Sequence, residues 1–165
     1  MRENLARLPD RESASHRDDK IELKVWLRLL TCTSLIEAEV RSRLRSSFDT
    51  TLPRFDLLAQ LDRAGDGLTM GELGSRLMVT GGNITGLVDA LAAEGLVERA
   101  PHARDRRSRV IRLTAKGRRA FAKMAPVHER WIDAMMAGMG RAEMTELLRL
   151  LGRLKDSVRQ TGGAR

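Results

Sequence analysis

Apolar residues recur at steps of three and four from Ile21 through Val25, Leu29, Cys32, Ile36, Val40, Leu44 and Phe48. That spacing keeps one face of a helix apolar and predicts a single long helix, with Trp26 and Leu30 on the adjacent stripe. On this reading Cys32 packs as a small hydrophobe, an environment that makes a thiol a poor nucleophile. Thr51-Leu52-Pro53 breaks the pattern and puts a proline into the first turn of a second helix, with Phe55, Leu58 and Leu61 inward. Gly65-Asp66-Gly67 ends it. Residues 1–19 hold no sustained period and read as a flexible arm.

Thr69 and Glu72 have capping-box spacing and open a short third helix with Leu73 and Leu77 inward. Thr80 can cap again, and Ile84, Leu87, Val88 and Leu91 mark a fourth helix that Gly95 ends. Two short helices joined by so few residues cross steeply, which is a helix-turn-helix. Residues 96–100 and 108–113 are short runs containing β-branched residues, and they flank the charged stretch 101–107 as a hairpin with a long tip. Thr114 caps a helix running past Phe121 and Met124 toward Trp131, Ile132, Met135 and Met139. Pro126 removes one of its ladder hydrogen bonds and predicts a kink. After Gly138 and Gly140 a last helix carries Met144, Leu147, Leu148, Leu151, Leu154 and Val158, before a frayed tail at 161–165.

This order predicts a mainly α fold with a small β-hairpin. A winged helix-turn-helix core covers 51–114, between an N-terminal helix in 20–50 and C-terminal helices in 115–160. The outer helices carry more apolar surface than so small a winged helix can bury. Self-association would cover it, so both ends are assigned to dimerisation and the partner is a second copy.

Composition narrows the function. A chain of 165 residues with 42% hydrophobic content can bury a real core. One cysteine excludes a disulfide framework, and His16, His102 and His128 fall in an arm, a wing tip and a helix, so neither metal nor cofactor is expected. No apolar run is long enough to span a membrane and the N-terminus has no signal-like apolar core, so the expectation is a cytoplasmic protein without a membrane partner. No nucleophile–base pair, phosphate-cradling glycine loop or paired carboxylate is spelled out, which argues against an enzyme. The charge is concentrated: residues 98–119 hold nine basic side chains against Glu98 and Asp105, nearly all of the formal +8. Arginine in that density suits a polyanion. With three Phe, two Trp and no Tyr, capture of single strands by stacking is disfavoured.

Four segments resemble the MarR family of bacterial transcription regulators: residues 52–59, residues 68–73, Gly95-Leu96-Val97-Glu98-Arg99, and above all Asp105-Arg106-Arg107 followed by residues 110–117. The likeness runs over about 21–159. It implies a dimeric repressor on a pseudo-palindromic DNA site, released by a small organic, aromatic acid-like ligand. It also implies that Arg107 is the wing arginine of the minor groove, with Asp105 orienting it. Arg104, Arg106 and Arg109 are then phosphate contacts. The N-terminal end of the fourth helix would enter the major groove, presenting Thr80, Gly81, Gly82, Asn83, Thr85 and Gly86, with Thr69 at the preceding cap. Asn83 can pair with an adenine edge or simply start the helix, Thr80 can cap, contact DNA or do both, and the Thr85 methyl can meet a thymine.

In the family the effector lies between the dimer helices and the DNA-binding lobe. The matching candidates are Trp26, Leu30, Phe55, Leu58, Met124 and His128, with Arg28 or Arg54 for a carboxylate. Some relatives sense peroxide through a cysteine held by tyrosine hydroxyls, and this chain has no tyrosine. The competing reading is an architectural or non-specific DNA-binding winged-helix protein.

Overall fold

The computed structural model describes residues 20–77, 84–101 and 109–162. Among the described residues six helices and one hairpin follow the expected order: α1 (Ile21–Phe48), α2 (Leu52–Ala64), α3 (Met70–Arg76), α4 (Ile84–Ala93), β1 (Val97–Pro101), β2 (Arg109–Leu113), α5 (Ala115–Met136) and α6 (Arg141–Gly162). The chain divides after His128 into two compact units.

The first unit is built around α2, which packs against α1, α3, α4 and β2. Being covered on several sides, α2 buries Leu57 and Ala59 as well as Phe55, Leu58 and Leu61. Leu44, Leu73, Val88, Leu91 and Ile111 complete the core around it. α1 buries only Val40 and Leu44, and stops where Asp49 takes a left-handed conformation and its N–H returns to the Arg45 carbonyl. Upstream the same apolar stripe is uncovered, with Ile21 68% and Val25 47% exposed, and so is Trp26 on the adjacent stripe at 54%. Cys32 lies on this stretch and is exposed, so the expectation of a buried thiol fails. The periodicity is right, but in the single chain the core reaches only the last turns of the helix.

The wing is an antiparallel pair in the register Val97↔Leu113 to Pro101↔Arg109. A bridge from a third segment was not foreseen. Leu68, just before α3, exchanges both backbone hydrogen bonds with Ile111 at 2.9 and 2.8 Å, tying the helix-turn-helix to the hairpin. α4 ends in a Schellman turn: Leu96 N–H reaches the Leu91 carbonyl, Gly95 N–H that of Ala92, and Gly95 adopts φ +69°. Thr114 caps α5 as expected, accepting from Gly117 N–H at 3.0 Å while its hydroxyl donates to the Gly95 carbonyl at 2.7 Å. α5 continues through Pro126.

In the second unit, α6 starts where the Gly140 N–H donates to the Glu143 carboxylate at 2.7 Å. None of its residues is buried, and Leu148 is 73% exposed. It extends through Thr161 and Gly162, so the expected tail is shorter than the sequence suggested. Among the described residues no helix is long and apolar enough to cross a membrane.

Candidate nucleic-acid interface

Thr69 and Glu72 form both halves of the capping box. Glu72 N–H donates to Thr69 Oγ1 at 3.2 Å, and Glu72 Oε2 accepts from the Thr69 N–H at 2.8 Å. The Thr69 hydroxyl also donates to that carboxylate at 2.8 Å, so it is engaged within its own helix start. On α4 the inner stripe of Val88 and Leu91 is fully buried, and Thr85 and Gly86 stand exposed on the opposite side, where the sequence placed them. Arg109 is exposed at the start of β2. Thr80, Gly81, Gly82 and Asn83, together with Arg104, Asp105, Arg106 and Arg107, lie outside the described residues.

The basic segment is more differentiated than its sequence. Arg99 pairs with Asp89 on α4 at 2.7 Å, and Arg112 pairs with Glu98 across the hairpin at 2.7 Å. Lys116 donates to the Glu94 carbonyl at 2.7 Å and Arg118 to the Leu113 carbonyl at 2.9 Å. Four basic groups near the wing thus hold α4, the strands and α5 together. Exposed pairs of this kind add at most about 1 kcal/mol each. None of these four roles was legible in charge counting.

The effector candidates separate into two sets. Phe55, Leu58 and Met124 are buried in the core. The Phe55 ring lies 4.6 Å from that of His128 and 5.6 Å from that of Phe121, so Phe55 and His128 are brought together. Trp26, Arg28 and Leu30 are exposed on α1. Arg54 pairs with Glu94 at the end of α4, leaving its Nε buried and without a hydrogen bond. A cavity of about 400 Å³ lies elsewhere, between the α2 end and the wing, lined among others by Asp66, Glu98, Arg112 and Arg118. Among the described residues no cluster of His, Cys, Asp and Glu could hold a metal.

Burial against its neighbours holds the His128 imidazole below the usual histidine pKa, near 6.5. The folded state therefore binds this proton less readily than the unfolded chain does. Stability is full above the unfolded pKa and declines as pH falls through about 6.5 toward the lowered folded value. His128→Phe keeps a ring on Phe55 and removes the titration. The wild-type melting temperature is expected to fall relative to the variant's between pH 7.5 and 5.5, and parallel curves would refute the assignment.

A helix-turn-helix tied to a two-stranded wing defines a DNA-binding transcription regulator of the winged-helix class, and comparison with known proteins agrees. The MarR family profile matches residues 48–108. The transcriptional repressor YetL of Bacillus subtilis is 36% identical over 106 residues, 64% of each chain. The transcriptional activatory protein BadR of Rhodopseudomonas palustris is 27% identical over 148 residues, 87% of this chain and 84% of BadR. Among solved structures, a MarR family regulator from Silicibacter pomeroyi is 29% identical with a TM-score of 0.74, covering 86% of this chain and 99% of that one. The Staphylococcus aureus MepR–DNA complex shares the fold, at 20% identity and a TM-score of 0.68 over 80% of this chain and 94% of MepR. The chain belongs to the MarR family of transcription regulators. Its relatives are regulators, not enzymes.

Proposed function

We propose that the protein is a dimeric, sequence-specific repressor that straddles a pseudo-palindromic duplex and is released by a small organic acid. The carrying observation is the outward face of α4, where Thr85 and Gly86 stand exposed beside a wing whose tip sequence holds Arg104, Arg106 and Arg107. Small side chains at the start of that helix let its backbone approach base edges, with residues 80–83 leading. Arg107 reaches the minor groove, oriented by Asp105. Arg104, Arg106 and Arg109 hold phosphates and set affinity more than sequence.

In this reading residues 51–114 form the DNA-binding region, and residues 20–50 and 115–160 the dimerisation region. The exposed apolar residues on the first half of α1, and separately those on α6, support a second copy as the cover. Repression follows YetL and the effector follows the family, with Trp26, Arg28, Leu30, Arg54 and His128 as candidate contacts.

The test is selection of duplexes from a random pool, then footprinting and in vitro transcription with and without small aromatic acids. A dimer protecting two half-sites about one helical turn (~34 Å) apart, lowering transcription and releasing DNA with an acid, is the expected result. Uniform coating of any duplex by a monomer would establish the architectural reading instead. Raised transcription would overturn the repressor assignment and align the protein with BadR.

A further inference from the structure

Asp89 is the one charged residue in α4, and it stands on the exposed stripe with Thr85, Gly86, Ala90 and Ala93. A helix laid against a polyanion gains from cations and loses from a bare carboxylate. Here the neighbouring strand neutralises it: Arg99 Nη2 donates to Asp89 Oδ1 at 2.7 Å, with both side chains about half exposed. Exposed pairs contribute little to folding, so stability does not account for this one. Position does. Only Glu94, Gly95 and Leu96 connect α4 to β1, and β1 leads straight into residues 102–108 at the wing tip. The pair closes that connection with a second link between the helix and the strand.

We propose that Asp89 and Arg99 form a positioning clamp that fixes the wing against the DNA-reading helix and thereby sets operator specificity. This rests on the DNA-binding reading above. A specific site requires the helix and the wing to engage two grooves at once. The effective concentration of the second contact depends on how closely the geometry of the two is held. Non-specific binding rests on charge and needs no such register. The clamp therefore has a signature opposite in sign to simple electrostatics. Asp89→Ala removes a negative charge and releases a cation, so charge alone predicts tighter binding to every duplex. Loss of the clamp predicts weaker binding to the specific duplex only.

The experiment uses the full chain as wild type, D89A, R99A and the charge-reversed D89R/R99D. Each is measured at one salt concentration against a duplex that the wild type selects from a random pool, and against a mixed-sequence duplex of equal length. D89A and R99A are each expected to lower the ratio of selected to mixed affinity about tenfold, with D89A binding the mixed duplex at least as tightly as wild type does. The reversed pair recovers most of the ratio, and melting temperatures stay within a degree or two. A wild-type ratio in D89A, or one in D89R/R99D no better than in D89A, would overturn the clamp. A wild type that selects no duplex overturns the DNA-binding reading itself, and is distinguished from those outcomes by its own binding.

Discussion

Replacing Gly117 with alanine is expected to destabilise the protein by roughly 3 kcal/mol, even though alanine is the better helix former. Gly117 is buried in the first turn of α5, and a Cβ there would lie 1.9 Å from the Leu96 carbonyl oxygen and 2.9 Å from its carbon. Those are backbone atoms that cannot rotate aside. Leu96 is also pinned from both directions: its N–H closes the Schellman turn of α4, and its carbonyl accepts from Thr114 N–H at 3.1 Å. Helix propensity favours alanine by about 1 kcal/mol, which is too small to offset prising α5 away from the α4–β1 turn. A melting temperature some 5–10 °C below wild type is the expected measurement. An unchanged or higher one would mean that propensity wins and the close approach does not exist. The same strain displaces Leu96 and with it the end of α4, so duplex binding should weaken in parallel.

Periodicity and capping were legible because they are local. The stripe from Ile21 to Phe48, the box at Thr69 and Glu72, and the cap at Thr114 each rest on residues three or four apart, and the structure keeps all three. What the sequence hid depends on partners distant along the chain. Cys32 sits on a correct stripe, but periodicity says which face is apolar and not how far the core extends beneath it. The Leu68–Ile111 rung is a single residue, without the alternation that announces a strand. Asp89 and Arg99, ten residues apart on different elements, give no periodic signal. Arg54 read as a ligand for a carboxylate and has one, but it is Glu94 of the same chain. An effector acid that displaced that carboxylate from Arg54 would have a direct route to the end of α4.

Arg107→Ala is expected to cost roughly 1–3 kcal/mol of operator binding while leaving non-specific affinity much less affected. Sequence alone offers nine basic groups around the wing, and charge counting treats them alike. Two of them, Arg99 and Arg112, are ion-paired within the chain, while Lys116 and Arg118 are held by backbone carbonyls and keep their charge. A cation already paired releases fewer counterions on meeting a phosphate. On the proposed DNA-binding reading the electrostatic load then falls on Arg104, Arg106 and Arg107 of the tip sequence, with Arg109 at the strand start. Within that group the roles should divide by readout. Arg104→Ala or Arg106→Ala, removing a phosphate contact, should weaken all duplexes alike and lower the steepness of the salt dependence by about one unit. Arg107→Ala should instead erode the preference for the selected duplex over a mixed one, because a minor-groove arginine reads width and A·T content. Binding isotherms across a salt series for the three variants decide between these outcomes. If Arg107→Ala shifts both duplexes equally, Arg107 is one more phosphate contact and sequence is read by α4 alone.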